Sequence, residues 1–185
     1  VYKRQAKLWQ VARSQVEALE KELEKALKPF QETSRRLQTL PGVGRLISAT
    51  FIAVLGEPGR FPDSGQVISY AGLAPSTYDS ADTVRRGHIT KRGSSELRAM
   101  LVEAAQNASK ETHPLHPYFA RITAVQGYKR AVVAVAQRMA RILYRMWRDG
   151  EDFDLSKLNV VREHTRKTRV VFYRIRSTHK QKANA

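Results

Sequence analysis

A polar, basic stretch from Ser76 to Gly93 holds the residues best suited to chemistry. It contains the hydroxyls of Ser76, Ser80 and Thr83, the acids Asp79 and Asp82, and the cations Arg85, Arg86, Lys91 and Arg92. A serine hydroxyl beside cations suits nucleophilic attack on a charged centre, provided the hydroxyl loses its proton and the developing charge is offset. Spacing alone leaves several candidates. Ser94 and Ser95 stand just before an apolar helical run, where serine caps a helix start. For Ser80 the plainest reading from spacing is a loop serine closing a local turn. Asp79 and Asp82 lie too near Ser80 in sequence to be assigned as its general base, and turn or ion-pair roles suit both.

A second group of residues suits anion binding. Residues 37–56 follow the pattern of a helix-hairpin-helix. Leu37 and Leu40 close a first helix, Gly42 and Gly44 permit a tight turn, and Leu46, Ile47, Ala49, Thr50 and Ile52 begin a second. Free amides along Gly42, Val43 and Gly44, added to the positive end of the second helix, would hold a phosphate. Arg45 would add a charge-assisted contact. The alternative is a glycine turn joining two packed helices with no polyanion at all. Lys129 and Arg130, at the start of a later helix, extend the list of basic contact candidates.

Those residues sit in a chain of 185 residues with 33 Lys and Arg against 17 Asp and Glu, a formal charge of +16. Such a charge repels itself unless a polyanion neutralises it, so nucleic acid is the expected partner. A ribosome- or membrane-surface protein would share the balance. No run of 18 or more uncharged apolar residues exists to span a membrane. The absence of cysteine excludes disulfides, thiolate catalysis and cysteine-based zinc sites. Of the five histidines, His113 and His116 bracket Pro114 and read as a helix entry, not as a metal site. The chain starts at Val1 without a signal peptide and is expected to be part of a longer protein.

The expected fold is all-α. Residues 1–36 carry a long coiled-coil helix, with Trp9, Ala12, Val16, Leu19, Leu23, Ala26 and Phe30 alternating in steps of three and four. Its stripe needs a partner helix, either a missing segment of the same protein or a second copy. Pro29 should kink or interrupt it. Residues 37–154 form a compact helical domain. A short helix covers Ser64–Tyr70. Another, capped by Ser94 or Ser95, runs to about Ala108. A third opens near Pro117 and ends before Gly127. A long amphipathic helix covers Tyr128 to about Arg148, turning Val132, Val135, Ala136, Met139, Leu143, Met146 and Trp147 inward, and Gly150 stops it. Periodicity fails over 76–93, an irregular loop in which a small β-hairpin within 76–90 can form. Residues 155–185 are a basic tail, with a strand-like run at Val170–Tyr173, suited to a solvated end or a phosphate-tracking arm.

The order Leu-Pro-Gly-Val-Gly (40–44), Arg60-Phe61, Tyr70-Ala71-Gly72-Leu73-Ala74-Pro75, Tyr78-Asp79-Ser80 and Lys91-Arg92-Gly93 resembles the C-terminal domain of a family of insertion-sequence transposases. In that family an N-terminal RuvC-like domain with four acidic residues precedes a C-terminal serine domain. The resemblance covers about Leu37 to Asp154, and the tail beyond lies outside it. It implies that Ser80 is the catalytic serine of a DNA recombinase working through a covalent phosphoserine intermediate. It implies as partners DNA, an element-encoded guide RNA and further copies of the chain, as a dimer or tetramer joined through the coiled coil. It further implies a bacterial, cytoplasmic, nucleoid-associated setting. The family's divalent metal, magnesium, would lie on the N-terminal domain, and this chain would need no cofactor of its own. The chain by itself is thus expected to bind nucleic acid without recombining it. Two other readings stand beside this one: a non-catalytic helix-hairpin-helix module, and a coiled-coil scaffold with incidental charge.

Overall fold

A computed structural model describes residues 2–80 and 83–158, with residues 77–80 and 83–86 described by backbone alone. The tail from 159 onward, including the strand-like run at Val170–Tyr173, lies outside the described residues. The chain divides into two units, Val1–Phe153 and Asp154–Ala185. In the second, the described residues form a short 3-10 turn, Leu155–Leu158, and the Ser156 amide donates to Asp154 Oδ1.

The first unit is predominantly helical, as composition and periodicity require. Helix α1 (Tyr2–Leu27) has no buried residue, and Leu8, Trp9, Val11, Val16 and Leu19 stand exposed along it. The stripe that called for a partner helix is therefore uncovered among the described residues. The rod ends where Pro29 lacks an amide proton for the helical ladder. A 3-10 turn over Lys28–Phe30 follows, and helix α2 (Gln31–Leu37) resumes in register with the core.

Helix α3 covers Arg45–Leu55, α4 Ser64–Tyr70, α5 Ser95–Gln106, α6 His116–Gln126 and α7 Tyr128–Asp149. The core is built on α7. Its inward face buries Val132, Val135, Ala136, Met139, Leu143 and Met146, and α2, α4, α5 and α6 pack against it. Trp147 is only half-buried and meets Phe51 of α3 edge-on, with ring centroids 5.9 Å apart. Ala104 and Ala105 of α5, both fully buried, let α3 and α7 approach closely. Tyr144 of α7 is buried, and its hydroxyl donates to the Phe61 carbonyl.

The helix boundaries follow local chemistry. Asp63 Oδ1 accepts from the amides of Gly65 and Gln66 at the start of α4. Ser94 Oγ accepts from the Leu97 amide at the start of α5. There, the Glu96 carboxyl is held below its ordinary value by its own backbone amide and by the hydroxyls of Ser95 and Ser94. Gly150 takes the left-handed conformation that closes α7.

His113 ties two distant loops together. It is 7% exposed; its Nε2 lies 2.9 Å from the Pro41 carbonyl and its Nδ1 accepts from the Leu115 amide at 3.1 Å. Both bonds form at once only in the neutral tautomer that carries its proton on Nε2. His113→Ala removes both bonds and the buried ring, so urea denaturation should show a loss of roughly 2–4 kcal/mol. A midpoint equal to the wild type would mean the ring is dispensable to the 38–44 loop.

The segment expected to be an irregular loop is for the most part a two-stranded antiparallel hairpin, β1 (Pro75–Ser80) and β2 (Thr83–Ile89). The short hairpin allowed for within 76–90 is thus the actual structure, and it is the only sheet among the described residues.

Candidate nucleic-acid interface

The turn between α2 and α3 is anchored from behind. Ser34 Oγ and Ser48 Oγ share a buried hydrogen bond of 2.9 Å that fixes α2 against α3. Leu40 is fully buried, and Val43 is 6% exposed. The Val43 amide donates to the Leu40 carbonyl. Gly42 has φ +87°, and a Cβ there would fall 3.0 Å from the Ala104 carbonyl of α5. Gly42 and Val43 thus serve the packing of this turn. What faces outward is its last part: Gly44, Arg45 and Leu46 are all exposed.

Gly44 is the N-cap of α3 and supplies no side-chain acceptor, and no acid occupies the first turn. The leading amides of α3 therefore lack the side-chain cap that α4 and α5 possess. Arg45 adds a cation where the helix end is already positive. Its Nη1 is 3.9 Å from Glu24 Oε2, but both side chains are more than half exposed, so the pair contributes little. The start of α7 repeats the arrangement. Gly127 gives no side-chain cap, the first turn holds no acid, and Lys129 and Arg130 are exposed there. Each misplaced charge costs about 0.3–1 kcal/mol at a helix end, a cost that a bound anion would reverse.

Gly44 is open on its Cβ side, with nothing within 4 Å. Gly44→Asp would thus supply an N-cap acceptor and a negative charge without a clash. Thermal melting should show a variant at least as stable as the wild type. If the α3 start holds phosphate, the same variant should bind duplex DNA more weakly. Undiminished binding at low salt would remove the α3 start from the interface.

Ser80 is the last residue of β1, and its backbone pairs with Thr83 at the tip of the hairpin. Arg85 pairs with Tyr78 and Arg86 with Thr77, so both cations enter the ladder within three residue pairs of Ser80. Lys91 and Arg92 lie beyond the other end. Five steps along β1 separate the Ser80 pair from the Pro75–Ile89 pair, or on the order of 17 Å at ~3.3 Å per residue. One chain therefore brings Arg85 and Arg86 near Ser80 along the ladder and sets Lys91 and Arg92 apart from it.

Lys91 and Arg92 belong to the hairpin's base. The Lys91 amide donates to the Gly72 carbonyl, the Ser94 amide to the Tyr70 carbonyl and the Thr90 amide to the Ala74 carbonyl. Arg98 Nη1 donates to the carbonyls of Ala71 and Lys91. Gln137 of α7 reaches the Leu73 carbonyl. Phe61 and Tyr70 meet edge-on at 5.5 Å, and the Arg60 guanidinium lies 5.2 Å from the Tyr70 ring. Among the described residues, no cluster of three or more His, Cys, Asp or Glu side chains could hold a metal ion. No described helix is long and apolar enough to cross a membrane.

Residue types had suggested Arg85, Arg86, Lys91 and Arg92 as one set of cations, and the register divides them into two pairs. Sequence reading also passed over Arg98 and Gln137, whose roles arise only from the fold. Arg98 acts seven residues from Lys91, but Gln137 reaches across 64 residues to Leu73.

Comparison with known proteins places these features in context. Residues 34–120, which include the α2–α3 turn and the hairpin, match the model of the transposase IS116/IS110/IS902 family. A 44.8 kDa protein of insertion element IS116 from Streptomyces clavuligerus is 28% identical over 147 residues, 75% of this chain and 37% of that protein. The transposase for insertion sequence element IS1111A from Coxiella burnetii is 30% identical over 126 residues, 66% of this chain and 35% of that protein. The pilin gene-inverting protein of Moraxella lacunata is 28% identical over 121 residues, 64% of this chain and 38% of that protein. The chain thus spans well under half the length of these relatives. The family match and the named relatives together support a transposase domain of the IS116/IS110/IS902 family over residues 34–120.

Proposed function

We propose that this chain is the DNA-handling part of an insertion-sequence transposase and that Ser80 is its nucleophile. The observation that carries the reading is the family match across 34–120, which takes in both the hairpin bearing Ser80 at its tip and the uncapped, basic start of α3. Ser80 Oγ would attack a backbone phosphorus, form a P–Oγ ester and release one strand oxygen, which takes up a proton. The ester keeps the energy of the broken phosphodiester, so a second strand's hydroxyl could reseal it without ATP. Arg85 and Arg86, whose backbone pairs with β1, would offset phosphate charge. The α3 start and Lys129-Arg130 would hold the DNA backbone as well.

The described residues do not form a site for the divalent metal that the resemblance implies, and no step here runs through one. We assign the metal to a separate RuvC-like domain of the longer protein. The exposed stripe on α1 supports assembly into a dimer or tetramer through a coiled coil. A guide RNA and a nucleoid-associated cytoplasmic setting complete the reading.

The test is Ser80→Ala in the longer protein that carries this chain. DNA binding should persist while the covalent protein–DNA product disappears. A second reading, a non-catalytic binding module acting through a helix-hairpin-helix, draws support from the uncapped α3 start. It predicts that Ser80→Ala changes nothing.

A further inference from the structure

The outer side of α7 carries a row of arginines that the site above does not use. Arg138, Arg141 and Arg145 succeed one another in steps of three and four, which places them on one side of the helix. That side is opposite the buried row of Val132, Val135, Met139 and Leu143. Tyr118 of α6 lies against it. The Arg138 guanidinium is 4.7 Å from the Tyr118 ring centroid, and that of Arg121 is 5.4 Å away.

The electrostatics are lopsided. Burial pushes the Tyr118 phenol up, and Arg138, Arg121 and Arg141 pull it back down. Burial pulls the Arg141 guanidinium below its ordinary value, Tyr118 offsets part of that, and Arg145 deepens it. Among the described residues, no carboxylate acts on either group. Neither Arg141 nor Arg145 takes part in an ion pair among the described residues. Like charges held together and partly desolvated raise the free energy of a fold unless an anion meets them. Arg141 and Arg145, which have no ion pair among the described residues, break that rule on one helix face.

We propose that Arg138, Arg141 and Arg145, with Tyr118 and Arg121, form a second phosphodiester-binding surface that grips the backbone of duplex DNA. It rests on the nucleic-acid reading above but uses none of the residues assigned there. The row from Arg138 to Arg145 runs about 10 Å along the helix axis. That is about three phosphate steps of one strand, at ~3.4 Å of axial rise each. The regular spacing on one helix face, and relatives named as transposases, favour duplex DNA as the occupant.

The experiment pairs Arg141→Gln with Arg145→Gln, leaving Arg121 and Arg138 stacked on Tyr118. Fluorescence anisotropy with a short random-sequence duplex would be read across a potassium chloride series. The slope of log affinity against log salt should become shallower by about 1.8, twice the ~0.9 lost per phosphate contact. Lys3→Gln with Lys7→Gln removes the same charge from α1 and should leave the slope unchanged. Equal effects from the two pairs, or no effect from the first, would overturn the proposal. In the unaltered protein, duplex DNA should protect Arg141 and Arg145 from phenylglyoxal, mapped by mass spectrometry. Absence of protection overturns the proposal whether or not the double variant folds. So does protection by single-stranded RNA but not by the duplex. If the wild-type chain bound no DNA even at low salt, the proposed function would fail along with this surface. Wild-type binding with an unchanged slope would sink this surface alone.

Discussion

Gly93→Ala should unseat the base of the β-hairpin and lower the melting temperature by roughly 10 °C. Gly93 has φ +131°, and a Cβ built there would sit 2.1 Å from the Tyr70 carbonyl oxygen and 3.1 Å from the Gly72 amide nitrogen. Neither neighbour is a flexible side-chain end that can swing aside. The Tyr70 carbonyl also accepts from the Ser94 amide, next to the cap of α5, so backing away loosens the start of that helix. Backbone strain of about 1–3 kcal/mol adds to overpacking of similar size. For a domain of this size each kcal/mol is worth roughly 2–4 °C. Scanning calorimetry would test the sum, and limited proteolysis should find new cleavage within 76–90. A melting temperature within about 2 °C of wild type would mean that the close approach of 70–72 to 91–93 is absent from the folded protein.

That approach changes how the sequence pattern is understood. Arg60-Phe61 flanks Tyr70 through a cation and an edge-on ring, and the Phe61 carbonyl takes the Tyr144 hydroxyl. The Tyr70–Pro75 segment accepts amides from Thr90, Lys91 and Ser94. Leu40 and Val43 enter the core, while Gly42 meets the backbone of α5. Most of the residues that carried the family resemblance are therefore parts of a frame, and the frame supports a hairpin whose tip is Ser80. A motif can identify a family through its scaffold as readily as through its chemistry.

The helices were legible because their signals are local. Ser94 caps α5, Pro117 lies in the first turn of α6, Gly150 ends α7, and Ser64–Tyr70 is helical as its pattern implied. The α7 stripe gave its buried face directly, since Val132 through Met146 recur at helical spacing. The hairpin was legible only in outline. Its strands are polar and short, so no alternation of apolar residues announces them, and register depends on pairing that no local pattern encodes. The division of Arg85-Arg86 from Lys91-Arg92 follows from that register alone. The packing of Gly42 against α5 was not legible, because Ala104 is 62 residues away in sequence. His113 could be placed at a helix entry, but its partner at Pro41 could not. The arginine row on α7 recurs at the same helical spacing as its apolar face, but only the packing of Tyr118 against it sets it apart from an ordinary solvated face.

In the transposase proposed above, Ser80→Ala should abolish the covalent protein–DNA product while leaving DNA affinity nearly unchanged. Loss of a hydroxyl nucleophile from a concerted site can cost on the order of 10⁶-fold in rate, which puts the product below detection. Affinity should persist if binding runs, as proposed, through the helix starts and the basic surfaces, which the substitution does not touch. Ser80→Thr keeps a hydroxyl and should restore some product if the oxygen itself reacts. Ser76→Ala separates chemistry from architecture. Ser76 Oγ donates to the His88 carbonyl at 2.8 Å, so its removal costs the hairpin a hydrogen bond, worth about 1 kcal/mol, and no nucleophile. Denaturing gels with end-labelled DNA would read all three variants. Product that survives Ser80→Ala, or is lost equally in Ser76→Ala, would assign the hairpin a purely structural role and leave the chain a binder. If only Ser80→Ala loses it, the cations opposite β1 become the next residues to replace, Arg85 before Lys91, because the strand register sets Arg85 two pairs from the serine and Lys91 beyond the far end.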